Sequence, residues 1–301
     1  MKDYIRLHGG ALVYPDGSVA FPQVADWFDV KAHQLSPSQI EVTAKRPRYY
    51  LEGTEDDLTQ DQQAQLRRIR LNGLPEPTEA ELEARKALSL KVAANRAKTR
   101  VRKLCKAMGA STLLTLTYRA NQGDLALCKR HLAAFVRSVR KYWPDFQAVA
   151  SFETQKRGAW HVHLALAGVP SSFTLGNVHG IPCRVKSFNV IRDTWRRVVG
   201  EHGGNIDVSR RKAHSRKSPA KIAAYLSKYI VKAFEQGEAY TNRWTKFGDC
   251  KIPAVVELGR AVDPLGMIVD CYGLLGDCTN VATAIWSRFG DWFYLASESP
   301  S

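Results

Sequence analysis

The stretch AVASFETQKRGAWHVHLALA, residues 148–167, contributes most to the prediction of the fold. Its two mainly apolar segments, 148–155 and 159–167, have the length and composition of strands, and Lys156-Arg157-Gly158 between them is typical of a tight turn. The stretch therefore predicts a β-hairpin. With a three-residue turn, Glu153 lies directly across from His161 on the neighbouring strand.

Turn and capping residues on both sides of this hairpin define further elements. These are a strand at 111–118, a helix at 125–142 capped by Asp124, a helix at 190–199, a strand at 205–210 and a helix from Ser218 to about Glu235. A loop containing Pro170 and Pro182 is expected between the hairpin and the second helix. The order β-α-β-β-α-β-α predicts an α+β fold, an antiparallel central sheet with packed helices of the ferredoxin-like or RRM-like kind, with N- and C-terminal appendages.

Composition divides the chain into three regions. Residues 1–84 form an N-terminal region of unknown role with short strands and turns, and its end, 54–83, is acidic, polar and typical of a linker or a surface helix pair. Residues 85–240 hold the elements above, preceded by a basic helix. Residues 241–301 form a C-terminal appendage whose role the sequence does not indicate.

The net charge of +15 makes nucleic acid the leading candidate partner, because Lys and Arg that neutralise phosphates release counterions. Nine basic residues and no acidic one lie between Arg85 and Lys106. We expect this helix to contact a DNA backbone, although a solvated helix face that touches nothing explains the charge equally well. Its candidate DNA-binding residues are Arg96, Lys98, Arg100, Arg102 and Lys103.

Several classes of protein are disfavoured by composition. Prolines and charges interrupt every long apolar stretch, so no membrane segment is expected, and the N-terminus lacks a secretory signal, which favours a cytoplasmic protein. Six cysteines without a C-x-x-C pair indicate neither a zinc ribbon nor a disulfide framework. The chain contains no G-x-x-x-x-G-K-[ST] motif for nucleotide-driven unwinding.

The hairpin carries a candidate metal site. His161 and His163 are two residues apart on one strand and therefore project from the same face, close to Glu153. Two neutral imidazoles and a carboxylate can hold a divalent cation and leave positions open for water or phosphate oxygens. The alternative is that all three are ordinary residues on a wet sheet face. The other histidines considered lack this spacing and are expected to be non-catalytic: His131, His179, His202 and His214.

The last predicted helix carries candidate nucleophiles. Its tyrosines and lysines share one face, separate from the apolar face, and comprise Lys221, Tyr225, Lys228, Tyr229 and Lys232. Tyr225 and Tyr229 are one helical turn apart, so their hydroxyls reach the same region. A phenol with an ordinary pKa near 10 needs neighbouring cations to become a good nucleophile, which Lys228 and Lys232 could supply. The alternative is an aromatic pair that stabilises the helix.

Together, STLLTLTY (111–118), the hairpin motif E-x7-H-V-H-L (153–164) and YLSKYIVK (225–232) closely resemble the three motifs of the HUH endonuclease superfamily, as found in rolling-circle replication initiators of phages and plasmids. The resemblance covers 98–234 and implies the HUH nuclease fold. It implies His161 and His163 as metal ligands with Glu153 as the third, Tyr225 and Tyr229 as nucleophiles accompanied by Lys228, and a supporting role for Thr115–Tyr118. DNA contacts from Lys221 and Lys232 are expected beside them.

The function implied by this resemblance is initiation of rolling-circle replication in a bacterial host. The protein would nick one strand at an origin, form a 5′-phosphotyrosyl intermediate, leave a 3′-OH primer and rejoin the strand. Mg²⁺ or Mn²⁺, single-stranded and origin DNA, a host helicase and the host replication machinery are the implied cofactor and partners. The tyrosines follow the histidines, as in replication initiators and unlike conjugative relaxases.

Three other functions remain open from the sequence. A two-tyrosine single-strand DNA transposase has the same motif order. A non-catalytic origin-binding protein would use the basic helix alone. A cupin-like metal enzyme also places H-x-H on a strand, but its glutamate normally follows the histidines, which fits this chain poorly.

Overall fold

The computed structural model describes residues 4–37, 39–179, 181–210, 219–235, 243–275 and 281–298. The chain divides into two compact units, the first made of Met1–Gln34, Ile40–Arg85 and Ala254–Ser301, and the second of Leu35–Gln39 and Lys86–Pro253. No helix in the described ranges is long and apolar enough to cross a membrane.

Strands and helices alternate along the described chain. The strands are β1 (Ile5–Arg6), β2 (Leu12–Val13), β3 (Ser18–Val24), β4 (Phe28–Ser36), β5 (Gln39–Lys45), β6 (Arg48–Thr54), β7 (Thr112–Tyr118), β8 (Gln147–Thr154), β9 (Trp160–Ala167), β10 (Ser172–Val178), β11 (Ile181–Lys186), β12 (Gly204–Arg210), β13 (Trp244–Phe247), β14 (Val256–Ala261), β15 (Val281–Trp286) and β16 (Trp292–Glu298). The α-helices are α1 (Gln60–Asn72), α2 (Glu79–Ala107), α3 (Leu125–Arg140), α4 (Ser187–Val199), α5 (Pro219–Glu235) and α6 (Pro264–Gly273).

The first unit is built on two sheets. One has the order β1-β2-β3-β6, and the other has the order β14-β4-β5-β16-β15. Three strands from the C-terminal part of the chain therefore complete a sheet that begins with β4 and β5. The apolar side chains of α6, Met267 and Cys271, pack in the core of this second sheet beside Phe28 and Leu295.

The second unit contains a five-stranded sheet of order β12-β7-β9-β8-β13, in which every neighbouring pair is antiparallel. One face packs against α3 and α4 through a core that includes Leu164, Phe135 and Trp195. The other face packs against α2 and α5, where Val101 and Leu226 are buried. The prediction of an α+β fold with an antiparallel central sheet and appendages is confirmed.

Local sequence explains where several elements begin. The carboxylate of Asp124 accepts hydrogen bonds from the backbone N–H groups of Ala126 and Leu127, which caps α3 as predicted. The polar stretch 54–83 contains α1 and the start of α2, and Thr59 caps α1. Ser218, the predicted cap of the last helix, lies outside the described residues, as does His214.

The expected loop around Pro170 and Pro182 is wrong. This segment forms the two-stranded antiparallel hairpin β10–β11, with Pro182 paired to Asn177. A two-strand hairpin has edges on both sides, where a residue without an N–H donor is tolerated. Prolines and glycines are therefore compatible with strands here, although they indicated a loop.

Candidate active site

The β8–β9 hairpin has the predicted register. Glu153 pairs with His161, and Ser151 pairs with His163. The alternating residues Val162 and Leu164 face the other way and are fully buried in the core under α3 and α4. The hairpin thus places the two imidazoles and the carboxylate on the sheet face that packs against α5.

His163 is held by hydrogen bonds at both ring nitrogens. Its Nε2 lies 2.9 Å from Oε2 of Glu153, and its Nδ1 lies 3.1 Å from Oγ1 of Thr115, its register partner on β7. Both His163 and Glu153 are more than nine-tenths buried. Thr115, the first residue of the expected supporting segment, therefore orients a candidate ligand directly.

His161 differs because its Nε2 is buried and has no hydrogen-bond partner among the described residues. Burial, followed by the nearby His163, lowers the pKa of His161 to about 4. The imidazole is consequently neutral at pH 7, which is the form that coordinates a metal. A buried ring nitrogen without a partner is costly unless something binds it.

The donor set suits a divalent cation, although the described side chains do not already form a three-donor cage. Glu153 and His163 satisfy each other through the 2.9 Å hydrogen bond, and the His161 and His163 ring centroids are 6.4 Å apart. A cation would replace that hydrogen bond and give the unpaired Nε2 of His161 a partner. Imidazole and carboxylate donors together accept Mg²⁺, Mn²⁺ and later transition metals.

Helix α5 brings its tyrosines to this site. The Tyr229 ring stacks on the His163 ring with centroids 3.7 Å apart and planes inclined by 13°. The Tyr229 hydroxyl donates a 2.5 Å hydrogen bond to the Tyr225 hydroxyl. Ile222 and Leu226 hold the helix on the sheet from its opposite, buried face. The hairpin and the helix therefore meet at a histidine–tyrosine contact.

The two tyrosines have different surroundings. Tyr225 is 43% exposed, whereas Tyr229 is half-buried and lines the cleft beside the histidines. Burial raises the pKa of Tyr229, and its hydrogen bond to Tyr225 and the charge of Glu153 add to this effect. The phenol nearest the histidines is therefore held in its protonated form.

The lysines of α5 do not account for activation of that phenol. Lys228 is exposed and is not among the residues that line the cleft, and the side chain of Lys232 lies outside the described part of the molecule. Lys221 is also exposed. The geometry thus brings together His161, His163, Glu153 and Tyr229, with Tyr225 attached through its hydroxyl, and leaves Lys228 at the periphery.

An open cleft of about 670 Å³ lies over these residues. Three of its lining residues were missed by the motif analysis: Gln155, Lys156 and Arg157. Arg157 donates hydrogen bonds to the backbone carbonyls of Tyr118 and Arg119 and to Oε1 of Gln155, which fixes the turn at the cleft edge. The available signal was the pair of cations in the turn directly before the histidines.

Lys156 is the exposed cation of this turn, and no acidic partner for it is found in the described ranges. Its ammonium is therefore available to a phosphate in the cleft.

The predicted basic helix is α2, and its cations differ in exposure. Arg96, Lys98 and Arg100 are exposed, whereas Arg102 and Lys103 are half-buried. The Arg100 guanidinium lies 6.0 Å from the centroid of the Trp244 ring. The opposite side of α2 packs on the central sheet, so one face of the helix is structural and the other remains a candidate DNA contact.

Comparison with known families adds one finding. The family model for the replication-associated protein ORF2 matches residues 111–234, from β7 to the end of α5. The matched segment contains every residue of the candidate site and less than half of the chain. The match supports a replication initiator family and a role in replication. No curated protein and no solved structure is significantly similar to the chain.

Proposed function

We propose that this protein is a tyrosine-dependent DNA nicking and joining enzyme of the HUH endonuclease type that initiates rolling-circle replication. The observation that carries the proposal is the contact between Tyr229 and His163. It joins a candidate nucleophile to a candidate metal site within one open cleft. The family match, which indicates replication, and the net charge of +15 support DNA as the substrate.

A divalent cation, Mg²⁺ or Mn²⁺, would be held by His161, His163 and Glu153 and would supply electrostatic stabilisation of the phosphate under attack. Thr115 keeps the Nδ1 side of His163 occupied, so its Nε2 remains directed at Glu153 and the ligand position. Lys156 at the cleft mouth attracts the DNA backbone. Arg157 fixes the turn that carries this lysine.

The proposed reaction is a transesterification at phosphorus. The Tyr229 oxygen forms a bond to the scissile phosphorus, and the bond between phosphorus and the 3′ oxygen breaks. The phenol proton departs through the hydrogen bond to Tyr225, which is exposed to solvent, and the 3′ oxygen takes up a proton. The products are a 5′-phosphotyrosyl link and a free 3′-OH, so the number of phosphodiester bonds is conserved.

Tyr225 is suited to the second transfer. Its hydroxyl lies 2.5 Å from that of Tyr229, so either phenol reaches a phosphate held in the same region. After one circuit of replication, Tyr225 would attack the regenerated site, and the released 3′-OH would attack the Tyr229 link and close the circle. Strand separation would come from a host helicase.

End-labelled DNA tests this proposal. Purified protein is incubated with a pool of random-sequence single-stranded oligonucleotides and Mn²⁺, then denatured and separated by size. We expect 3′-labelled DNA to migrate with the protein and 5′-labelled DNA to be released as shortened fragments with a 3′-OH. The adduct should be absent with EDTA. Binding that ignores EDTA and never becomes resistant to denaturation would instead indicate a non-catalytic origin-binding protein.

A further inference from the structure

The hairpin β10–β11, residues 172–186, lies outside the candidate active site. We call it the ribbon. Almost all of its described side chains are exposed, including Leu175 and Ile181, and Phe173 alone among them is fully buried. Its base is fixed by hydrogen bonds from the Ser187 backbone N–H to the Ser171 carbonyl and from the Ser187 hydroxyl to the Pro170 carbonyl. The ribbon is thus a well-anchored but solvent-exposed element.

The two faces of the ribbon have different compositions. Phe173 pairs with Val185, and both pack against the core under α3 and α4. On the opposite face, Ser172 pairs with Lys186 and Thr174 pairs with Arg184. The outer face therefore presents two hydroxyls and two cations, while the inner face explains how the ribbon is attached.

The charge of the ribbon selects its partner. Residues 168–186 contain no Asp or Glu. Arg184 and Lys186 are exposed, and neither has an acidic partner among the residues that the structure describes. Unpaired cations beside hydroxyl and amide groups are the side chains that contact phosphates and base edges in DNA. An acidic polymer with hydrogen-bonding groups fits this face better than an apolar protein surface does.

We infer that the ribbon inserts its outer face into the major groove of duplex DNA beside the nicking site. A two-stranded ribbon fits a major groove, which is roughly 12 Å wide. Arg184 can donate to guanine or phosphate, and Asn177 near the tip can pair with adenine. The ribbon position relative to the nick rests on the proposed function, whereas duplex binding itself does not.

The location of the ribbon separates binding from cleavage. It follows the C-terminal end of β9, whereas His161 lies at the start of that strand. The six residues from His161 to Ala167 span about 20 Å at about 3.3 Å per residue. This distance corresponds to roughly six base pairs at about 3.4 Å each. The recognised duplex therefore begins at least this far from the cleaved phosphate.

Binding measurements with the full chain test the inference. The probes are a fluorescent mixed-sequence duplex of about 30 base pairs, roughly three helical turns, and one strand of that duplex alone. The variant is Arg184→Ala with Lys186→Ala. We expect duplex affinity to fall about ten-fold near physiological salt, and the slope of log K against log salt to decrease by about 2. Affinity for the single strand should change by less than about two-fold.

Controls separate this effect from lost charge and from lost folding. Arg67→Ala with Arg68→Ala removes the same charge from exposed positions on α1 and should leave duplex binding unchanged. A second ribbon variant replaces 174–184 with Asn-Gly, which joins Phe173 to Val185 through a two-residue turn, and should show the same duplex defect with an unchanged melting temperature.

Unchanged duplex affinity in both ribbon variants, or an equal loss for single strands and duplexes, would overturn the inference. If wild-type protein never forms the covalent adduct yet shows the ribbon-dependent duplex binding, the proposed nicking function fails while this inference stands.

Discussion

The second unit contains two clusters of one tyrosine and two histidines, on opposite faces of the same sheet, with different environments. In the core cluster, the Tyr118 hydroxyl is hydrogen-bonded to His131 Nδ1 at 3.1 Å, and His202 lies 5.7 Å from His131 between ring centroids. In the cleft cluster, Tyr229 stacks on His163, and His161 keeps an unpaired buried nitrogen. Residue types alone therefore do not identify a reactive site.

The difference lies in what remains unsatisfied. Tyr118 is almost fully buried and packs against Trp195, with ring centroids 5.3 Å apart, and burial raises the pKa of Tyr118. Its polar atom already has a partner. The cleft cluster instead combines the carboxylate of Glu153 with open space for a phosphate. A cluster can act on a ligand when its donors and acceptors are not already paired with one another.

The largest expected effect is the loss of a candidate metal ligand. His161→Ala or His163→Ala should abolish adduct formation, with a loss greater than the roughly 10- to 100-fold that removal of an outer-sphere partner costs. The measurement is the initial rate of adduct formation on single-stranded DNA at several Mn²⁺ concentrations. His131→Ala and His202→Ala are the matched changes in the core cluster and should retain the adduct. Equal loss in all four variants would remove the distinction between the clusters.

The same Tyr-to-Phe change in both clusters gives the next largest contrast. Tyr229→Phe should slow adduct formation by at least about 100-fold, the scale of a lost catalytic group, with little effect on stability. Tyr118→Phe should retain activity and lower the free energy of unfolding by about 1 kcal/mol, because it removes one buried hydrogen bond. Rates and urea unfolding of both variants check this prediction.

Tyr225→Phe is a further control within the cleft cluster. It should permit the first cleavage and impair rejoining. A Tyr225→Phe, Tyr229→Phe double variant that still forms the adduct would show that neither phenol is the nucleophile.

The smallest expected effect concerns the cleft edge. Lys156→Ala removes one phosphate contact, so affinity for single-stranded DNA should fall a few-fold, and the slope of log K against log salt should decrease by about 0.7. Lys156→Arg should restore both values. An unchanged salt dependence would place this lysine outside the path of the DNA.

Short-range patterns predicted much of the second unit. The turn at Lys156-Arg157-Gly158 set the register that pairs Glu153 with His161, and alternation assigned Val162 to the core. The spacing of Tyr225 and Tyr229 placed their hydroxyls together. Each of these relations depends on residues within one hairpin or one helix, where geometry follows from strand and helix periodicity.

Relations between distant segments were not predictable in this way. The stacking of Tyr229 on His163 joins residues from different elements, and no periodicity encodes it. The pairing of β14 with β4 likewise joins segments more than 200 residues apart. Lys228 was expected to activate the phenol, yet cleft lining depends on how α5 rotates against the sheet. The hydrogen bonds that Arg157 makes to Tyr118 and Arg119 were also invisible in composition.

The most direct test of the central claim is to identify the residue that carries DNA in the covalent adduct. Trypsin cleaves after Lys221, Lys228 and Lys232, so Tyr225 and Tyr229 fall on separate peptides, 222–228 and 229–232. After a single cleavage, followed by nuclease and trypsin digestion, mass spectrometry should find the nucleotide phosphate on peptide 229–232. Attachment to neither peptide would contradict the assignment of the α5 phenols as nucleophiles.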